Sequence, residues 1–164
     1  MVYAASRNES RSDTFLFLCD LALIAALEWI LRGKPSILGA ASGAVAGLVC
    51  ITPAAGFVSA MPALIMGVSG ATACFFACTT LKNTFKYDDS LDAFGVHGVG
   101  GTLGALLTGI FASRVNWNID NGHELGLIEG SSRILIGQFA AVAITWVFSL
   151  VATFVLLKMI DAIV

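Results

Sequence analysis

Long apolar stretches alternate with short polar segments along the 164-residue chain. Five stretches are long enough for a bilayer, because a membrane-spanning helix needs roughly 20 predominantly apolar residues. They cover residues 14–31, 37–58, 61–81, 93–112 and 134–157. We therefore predict an all-α integral membrane protein, a polytopic bundle of five transmembrane helices, preceded by a polar segment over residues 1–12.

The order of the predicted spans also predicts a topology. Five spans place the termini on opposite sides, and the loops 32–36 and 82–92 share a side with the C-terminus. That side holds the basic residues Arg32, Lys34, Lys82, Lys86 and Lys158, against four on the other side. Since cytoplasmic loops carry an excess of Lys and Arg, this count favours a cytoplasmic C-terminus.

Composition agrees with a membrane protein and excludes several functions. Only 12% of the residues are charged, about half the share typical of soluble domains. The net charge of −2 and the lack of a basic stripe give no reason to expect nucleic acid as a partner. No enzyme motif and no metal-ligand spacing is present, so we expect no catalysis, cofactor or metal. The four cysteines lie inside apolar stretches and are interpreted as packing residues: Cys19, Cys50, Cys74 and Cys78.

Small residues recur on one face of two predicted spans. Glycines return every three residues in the span 93–112 and every four in the span 37–58. In lipid, small residues allow helix backbones to approach and gain packing. We therefore expect six glycines to pack helices together at the centre of the bundle: Gly43, Gly47, Gly95, Gly98, Gly101 and Gly104. The last span, which is bulkier, is expected to face lipid.

Ionisable side chains in and beside the spans are the candidate functional residues. His97 lies inside the uncharged stretch 93–112, and such a residue is by default a functional hypothesis. Its alternative role is to tie two helices together. Asp88, Asp89 and Asp92 precede this span; they either cap the helix or attract a cation to a pore mouth. Glu28 is expected at the membrane edge as an anchor or ion-pair partner.

Two segments carry a resemblance to a known family. DDSLDAFGVHGVGGTLGALLTGIFAS, from Asp88 to Ser113, closely resembles the signature near the C-terminal end of the ammonium transporter family, the Amt/MEP/Rh proteins. EWILRGKPSILGAASGAVAGLVCITPAAGF, from Glu28 to Phe57, agrees with it. The similarity extends over about residues 28–161. It therefore implies that residues 13–161 form the C-terminal part of an ammonium-transporter-like membrane domain, the last five of eleven spans.

The resemblance implies a function and its residues. Family members are trimers with a pore in each subunit, where ammonium loses a proton and two facing histidines line the path. His97 matches the second histidine of that pair. Ser42 and Thr52 match small polar residues along the path, and Phe94 is assigned to it as well. Asp89 and Asp92 match acidic residues at the cytoplasmic start of the same helix.

Partners, location and completeness follow from the same resemblance. It implies ammonium or ammonia as substrate, the lipid bilayer of the cell membrane as surroundings, and a homo- or hetero-trimer with family members. Since the chain resembles only the last five spans, we expect that it cannot form the pore alone and needs the missing N-terminal half. Two alternatives remain: a truncated, non-transporting subunit that modulates full-length transporters, or an inactive gene remnant.

Overall fold

Four helices dominate the structure, a computed structural model that describes residues 26, 28–30, 33–34, 36–113 and 126–163. All four are long and apolar enough to cross a membrane. Helix α1 spans Ile37–Ile51 and continues as the 3₁₀ turn Thr52–Ala54, α2 spans Ala60–Phe85, α3 spans Phe94–Phe111, and α4 spans Arg133–Ile163. A further 3₁₀ turn, Leu127–Glu129, precedes α4.

This architecture confirms the predicted all-α membrane fold, since the described residues contain helices and no strand. The predicted polar segment 1–12, most of the predicted span 14–31 with Cys19, and the segment 114–125 with His123 lie outside the described residues. The five-span organisation therefore stays a prediction. Helix α4 begins at Arg133 and ends at Ile163, well beyond the predicted end at residue 157.

Helix α1 begins at a serine cap that is itself held by a buried carboxylate. The Ser36 hydroxyl accepts a hydrogen bond from the Gly39 amide at 2.9 Å, as serine does at many helix starts. The same residue donates its amide and its hydroxyl to Glu28, at 2.7 and 2.8 Å. Glu28 is only 4% exposed. It therefore anchors the start of α1, which is a more specific role than the membrane-edge position expected from the sequence.

Prolines and a glycine turn the chain between α1 and α2. Pro53 lies in the 3₁₀ turn that ends α1, and Pro62 lies in the first turn of α2, where its missing N–H leaves no helical hydrogen bond unmade. Gly56 adopts a φ of +81° between them, a conformation that glycine adopts without strain. The residues after α3 also contact this turn, because the Ser113 amide donates to the Phe57 carbonyl at 2.9 Å.

Cysteines and glycines form the tightest packing in the bundle. Cys50 on α1 and Cys74 on α2 are fully buried. A side-chain carbon at Gly104 of α3 would overlap the Cys50 backbone, and one at Gly100 would lie 2.9 Å from the Cys74 sulfur. The helices thus approach as closely as they do because these positions lack a side chain. Both thiols pack as small apolar groups.

Two π-helical turns lie next to each other inside the bundle. One spans Ala77–Leu81 in α2, and the other spans Phe94–Val99 at the start of α3. They meet where Cys78 contacts Gly95, at which any side-chain carbon would overlap the Cys78 sulfur. The Cys74 thiol donates to the Val96 carbonyl at 3.7 Å. Single π turns often lie at functional sites, and His97 is in the middle of the second.

Helix α4 is the most exposed part of the bundle. Its 31 residues are about 46 Å long at 1.5 Å per residue, so the helix exceeds a hydrocarbon core of about 30 Å. None of them is buried within the part of the chain that the structure describes. The helix starts close to α3, because a side-chain carbon at Gly109 would lie 2.7 Å from the Leu135 Cα, and the two then leave a groove between them.

Candidate functional site: a groove carrying His97

The groove between α3 and α4 encloses about 1050 Å³. Its walls are mainly apolar, with Ala105 and Gly101 from α3 facing Leu150 and Phe154 from α4. Hydroxyl groups such as that of Thr102 interrupt this surface. Such a surface is compatible with lipid or with a small neutral solute, and it gives no compensation to an ion that has lost its water.

His97 supplies the only ionisable side chain among the described residues that line the groove. The residue is exposed. Its ring has no hydrogen-bonding partner within the part of the chain that the structure describes, so the alternative role of tying two helices together has no contact here to support it. The adjacent Gly101 faces open space, since a side-chain carbon added there would have no atom within 4 Å. The ring therefore has room for a small molecule beside it.

Three aromatic rings contact one another near the start of α3, and two of them, Phe94 and Trp146, line the groove. The Phe94 ring packs edge-on against Tyr87 and Trp146, with ring centres 5.5 and 5.7 Å apart. Edge-on contacts of this kind are favourable at such distances. The Trp146 indole N–H donates to the Thr102 hydroxyl at 2.9 Å. These contacts join α3 to α4, so the orientation of Phe94 depends on both helices.

The acidic segment before α3, residues 86–92, gives its three aspartates different roles. Asp89 accepts hydrogen bonds from the amides of Ala93, Phe94 and Gly95, at 2.8, 2.9 and 3.3 Å. It is thus the residue that caps α3. Asp92 instead forms an ion pair with Lys82 at 2.8 Å, and Asp88 accepts from the Ser90 hydroxyl.

Tyr87 shares the environment of these carboxylates. Burial, and then the negative charge of Asp89, raise the pKa of the Tyr87 phenol above its usual value. The phenol therefore stays neutral at physiological pH.

A second, smaller cavity of about 150 Å³ lies on the other side of α3. Ser42 and Asp92 line it, together with Glu28 and Cys78. His97 and Phe94 do not, so Ser42 and His97 belong to different cavities. Thr52 lies in neither; its hydroxyl donates to the Leu48 carbonyl at 2.6 Å, one turn earlier in α1.

The six glycines assigned to packing divide into two groups. Gly43, Gly47, Gly95 and Gly104 are buried. Gly98 and Gly101 line the groove. The packing role of all six stays a prediction. In the described residues, no group of three or more His, Cys, Asp or Glu side chains is arranged to hold a metal ion.

Three residues of the site were not identified from the sequence. The sequence assigned Lys82 no role beyond its positive charge, yet the residue forms an ion pair with Asp92. Its position at the end of an apolar stretch, ten residues before an aspartate, was the available signal. Thr102 and Trp146 join α3 to α4, and no sequence pattern connects two residues so far apart in the chain.

The chain is similar to known proteins over most of its length. The Ammonium Transporter Family matches the chain over residues 18–164. The ammonium transporter of Bacillus subtilis is 46% identical over 135 residues, which are 82% of this chain and 33% of that protein. The ammonium transporter of Aquifex aeolicus is 42% identical over 166 residues, or 98% of this chain and 38% of that protein.

The fold of the chain is also similar to that of a solved structure. The crystal structure of Saccharomyces cerevisiae Mep2 superposes with a TM-score of 0.83 and 30% sequence identity, over 92% of this chain and 34% of that one. The chain therefore spans between about a third and two fifths of the length of the curated relatives named above. The extent of the family match and these similarities establish that the chain belongs to the ammonium transporter family.

Proposed function

We propose that the chain forms the C-terminal part of an ammonium transporter, in which His97 lines the path of the substrate. The observation that carries this proposal is the exposed ring of His97 on the wall of an otherwise uncharged groove. The substrate is ammonium at the membrane surface, where it gives its proton to water, and neutral ammonia along the groove. Ser42 and Thr52 lie away from the groove, so a role for them in the path is supported only by the resemblance to the family.

The chemistry of the groove suits a neutral molecule. An ion that enters an apolar environment without a partner loses its hydration at a large cost in free energy. Ammonia carries no charge and needs only a hydrogen bond to replace water. A neutral imidazole offers one donor and one acceptor nitrogen, so His97 can exchange hydrogen bonds with ammonia without adding a fixed charge.

The groove needs a second wall before it can serve as a path. It is only partly enclosed by α3 and α4, and α4 contributes no buried residue in the described part. The B. subtilis relative is about three times as long as the matched segment. We infer that a segment equivalent to the preceding part of that relative covers the groove, either in the same polypeptide or as a separate chain.

Orientation and assembly belong to the same proposal. We assign the chain to the cell membrane with a cytoplasmic C-terminus, which agrees with the five basic residues on that side of the predicted topology. The acidic segment 86–92 then faces the cytoplasm, where Asp89 and Asp92 surround the start of α3. A trimer, formed with copies of itself or with full-length family members, is the proposed assembly.

Uptake by a joined protein tests this proposal. The joined protein places the part of the B. subtilis ammonium transporter that precedes the matched segment in front of this chain. In a host without its own ammonium uptake, we expect the joined protein to take up labelled methylammonium and the chain alone to remain at background, because only the former has both walls. The intact B. subtilis transporter serves as the positive control.

Two results would contradict the proposal. One is uptake by the chain alone that disappears on His97→Ala, since the groove would then need no second wall. The other is background uptake by a joined protein that is inserted and folded. If the chain co-purifies with a full-length transporter and changes its rate without transporting, the modulating-subunit alternative is correct instead.

A further inference from the structure

Lys82 lies in the last turn of α2 and reaches across to the start of α3. The Lys82 Nζ atom donates to the Asp92 carboxylate at 2.8 Å and to the Asp89 backbone carbonyl. The Lys82 and Asp92 side chains are 28% and 34% exposed. An ion pair with this exposure contributes little to stability, because solvent screens it. The pair does join the last turn of α2 to the residues just before α3.

The two partners of Lys82 are the two ends of one turn. The Asp92 amide donates to the same Asp89 carbonyl at 3.1 Å, and Asp92 has a φ of +53°. Aspartate adopts this left-handed conformation more readily than most residues, yet it still has to be held there. Lys82 binds the carbonyl at one end of the turn and the carboxylate at the other, so it restricts how the turn can open.

This turn determines where α3 begins. When it is closed, the Asp89 carboxylate lies beside the amides of Ala93, Phe94 and Gly95 and caps them. Phe94 and Gly95 are the first two residues of the π-helical turn Phe94–Val99. His97 lies three residues after Phe94 in this turn, so a change in the starting geometry of α3 alters the direction of both side chains toward the groove.

We propose that Lys82 is a positioning residue, which acts through the Asp89–Asp92 turn to hold His97 and Phe94 in their orientation on the groove wall. Its effect on transport rests on the proposed function, while its effect on His97 does not. Removing the charged amino group of Lys82 releases the turn. The Asp89 carboxylate then caps the start of α3 only part of the time. The conservative substitution Lys82→Arg keeps a cation of similar reach and retains much of the effect.

Histidine NMR of the whole 164-residue chain tests whether Lys82 orients His97, and it requires no transport measurement. The chain has two histidines, His97 and His123, so ring-labelled signals are assigned with a His123→Gln variant. We expect Lys82→Met to shift the His97 signals and leave those of His123 in place, with Lys82→Arg closer to the unsubstituted chain. Lys86→Met, which removes a neighbouring lysine outside the turn's ion pair, serves as the matched control and is expected to shift neither histidine.

A double-mutant cycle tests whether Lys82 affects His97 through its ion pair with Asp92. Asp92→Asn removes the same ion pair from its other side but leaves the contact of Lys82 with the Asp89 carbonyl, so it should shift the His97 signals in the same direction as Lys82→Met and by no more. The double variant should shift them no further, because residues that act through one contact are not additive. An unchanged His97 signal in Lys82→Met, an equal shift in Lys86→Met, or additive shifts in the double variant overturns the proposal.

Transport by the joined protein tests the functional half. Lys82→Met should lower the maximal uptake rate about tenfold or more, as misplacement of a reacting group does, with the half-saturating methylammonium concentration unchanged. Lys82→Arg should recover most of the rate. If the unsubstituted joined protein transports and Lys82→Met transports equally well, the positioning role is overturned. If the unsubstituted joined protein fails, the proposed function fails, and the NMR result still decides whether Lys82 orients His97.

Discussion

We expect the replacement of His97 by alanine to lower methylammonium uptake by the joined protein up to about a hundredfold, to near background, because a desolvated polar molecule that loses its hydrogen-bond partner costs about 1–3 kcal/mol. The physical reason is the composition of the groove. His97 carries the only ionisable side chain among the described residues that line it, so the variant leaves these residues without an ionisable group. The initial rate of labelled methylammonium uptake measures the effect.

Two further variants separate chemistry from packing. His97→Gln keeps a hydrogen-bond donor and acceptor in a side chain of similar size, so it should retain more uptake than His97→Ala. His123→Ala removes the other histidine of the chain and should leave the rate unchanged. Full uptake by His97→Ala would show that the groove wall carries no essential polar group, and the proposed role of His97 would be abandoned.

Replacing Asp89 by alanine exposes the start of α3, with an expected cost of about 1–2 kcal/mol for the lost cap. Three amides lose their acceptor at once. Since 1.4 kcal/mol corresponds to a factor of ten in an equilibrium constant, hydrogen exchange of the Ala93, Phe94 and Gly95 amides should accelerate about tenfold. Exchange at each amide, measured in detergent by NMR, tests this expectation.

Asp88 provides the matched control for that experiment. Its carboxylate accepts from the Ser90 hydroxyl and from none of the three capped amides, so Asp88→Ala should change their exchange little. Asp89→Asn keeps one acceptor oxygen and loses the charge, so it should lie between the two. Equal acceleration by Asp88→Ala would mean that the overall charge of the segment stabilises α3, rather than the specific hydrogen bonds of Asp89.

The helices were accessible to sequence reasoning because lipid imposes a simple rule on them. A bilayer requires long apolar stretches with every backbone group paired inside the helix, and the structure has helices in the stretches that begin near residues 37, 61, 93 and 134. Their ends were less predictable. Helix α4 continues through Lys158 and Asp161 to Ile163, since charged side chains past the hydrocarbon core do not interrupt a helix.

The roles of neighbouring residues of the same type could not be separated in advance. Three aspartates within five positions all suit a helix start, and which one caps α3 depends on the turn that Lys82 closes. The glycines pose the same problem, because a period of three or four does not reveal that Gly104 meets the Cys50 backbone while Gly101 faces open space. These distinctions arise from contacts between helices.

The rarity of histidine in an apolar stretch predicts His97 as a candidate, whereas its surroundings were not predictable from the sequence. The π-helical turn that carries it depends on Cys78 and Gly95, which come together from α2 and α3. The aromatic contact of Phe94 with Trp146 joins segments 52 residues apart in the sequence (146 − 94). Local sequence patterns contain no information about such pairs.

The central claim is that the groove between α3 and α4 becomes the inner wall of a path once a second wall covers it. A spin label at Ala105→Cys, which lines the groove, tests this in a background whose other cysteines are alanine. In the chain alone in lipid, the label should collide with membrane-dissolved oxygen. In the joined protein that contact should be lost. Equal oxygen contact in both proteins would leave the groove facing lipid and contradict the account.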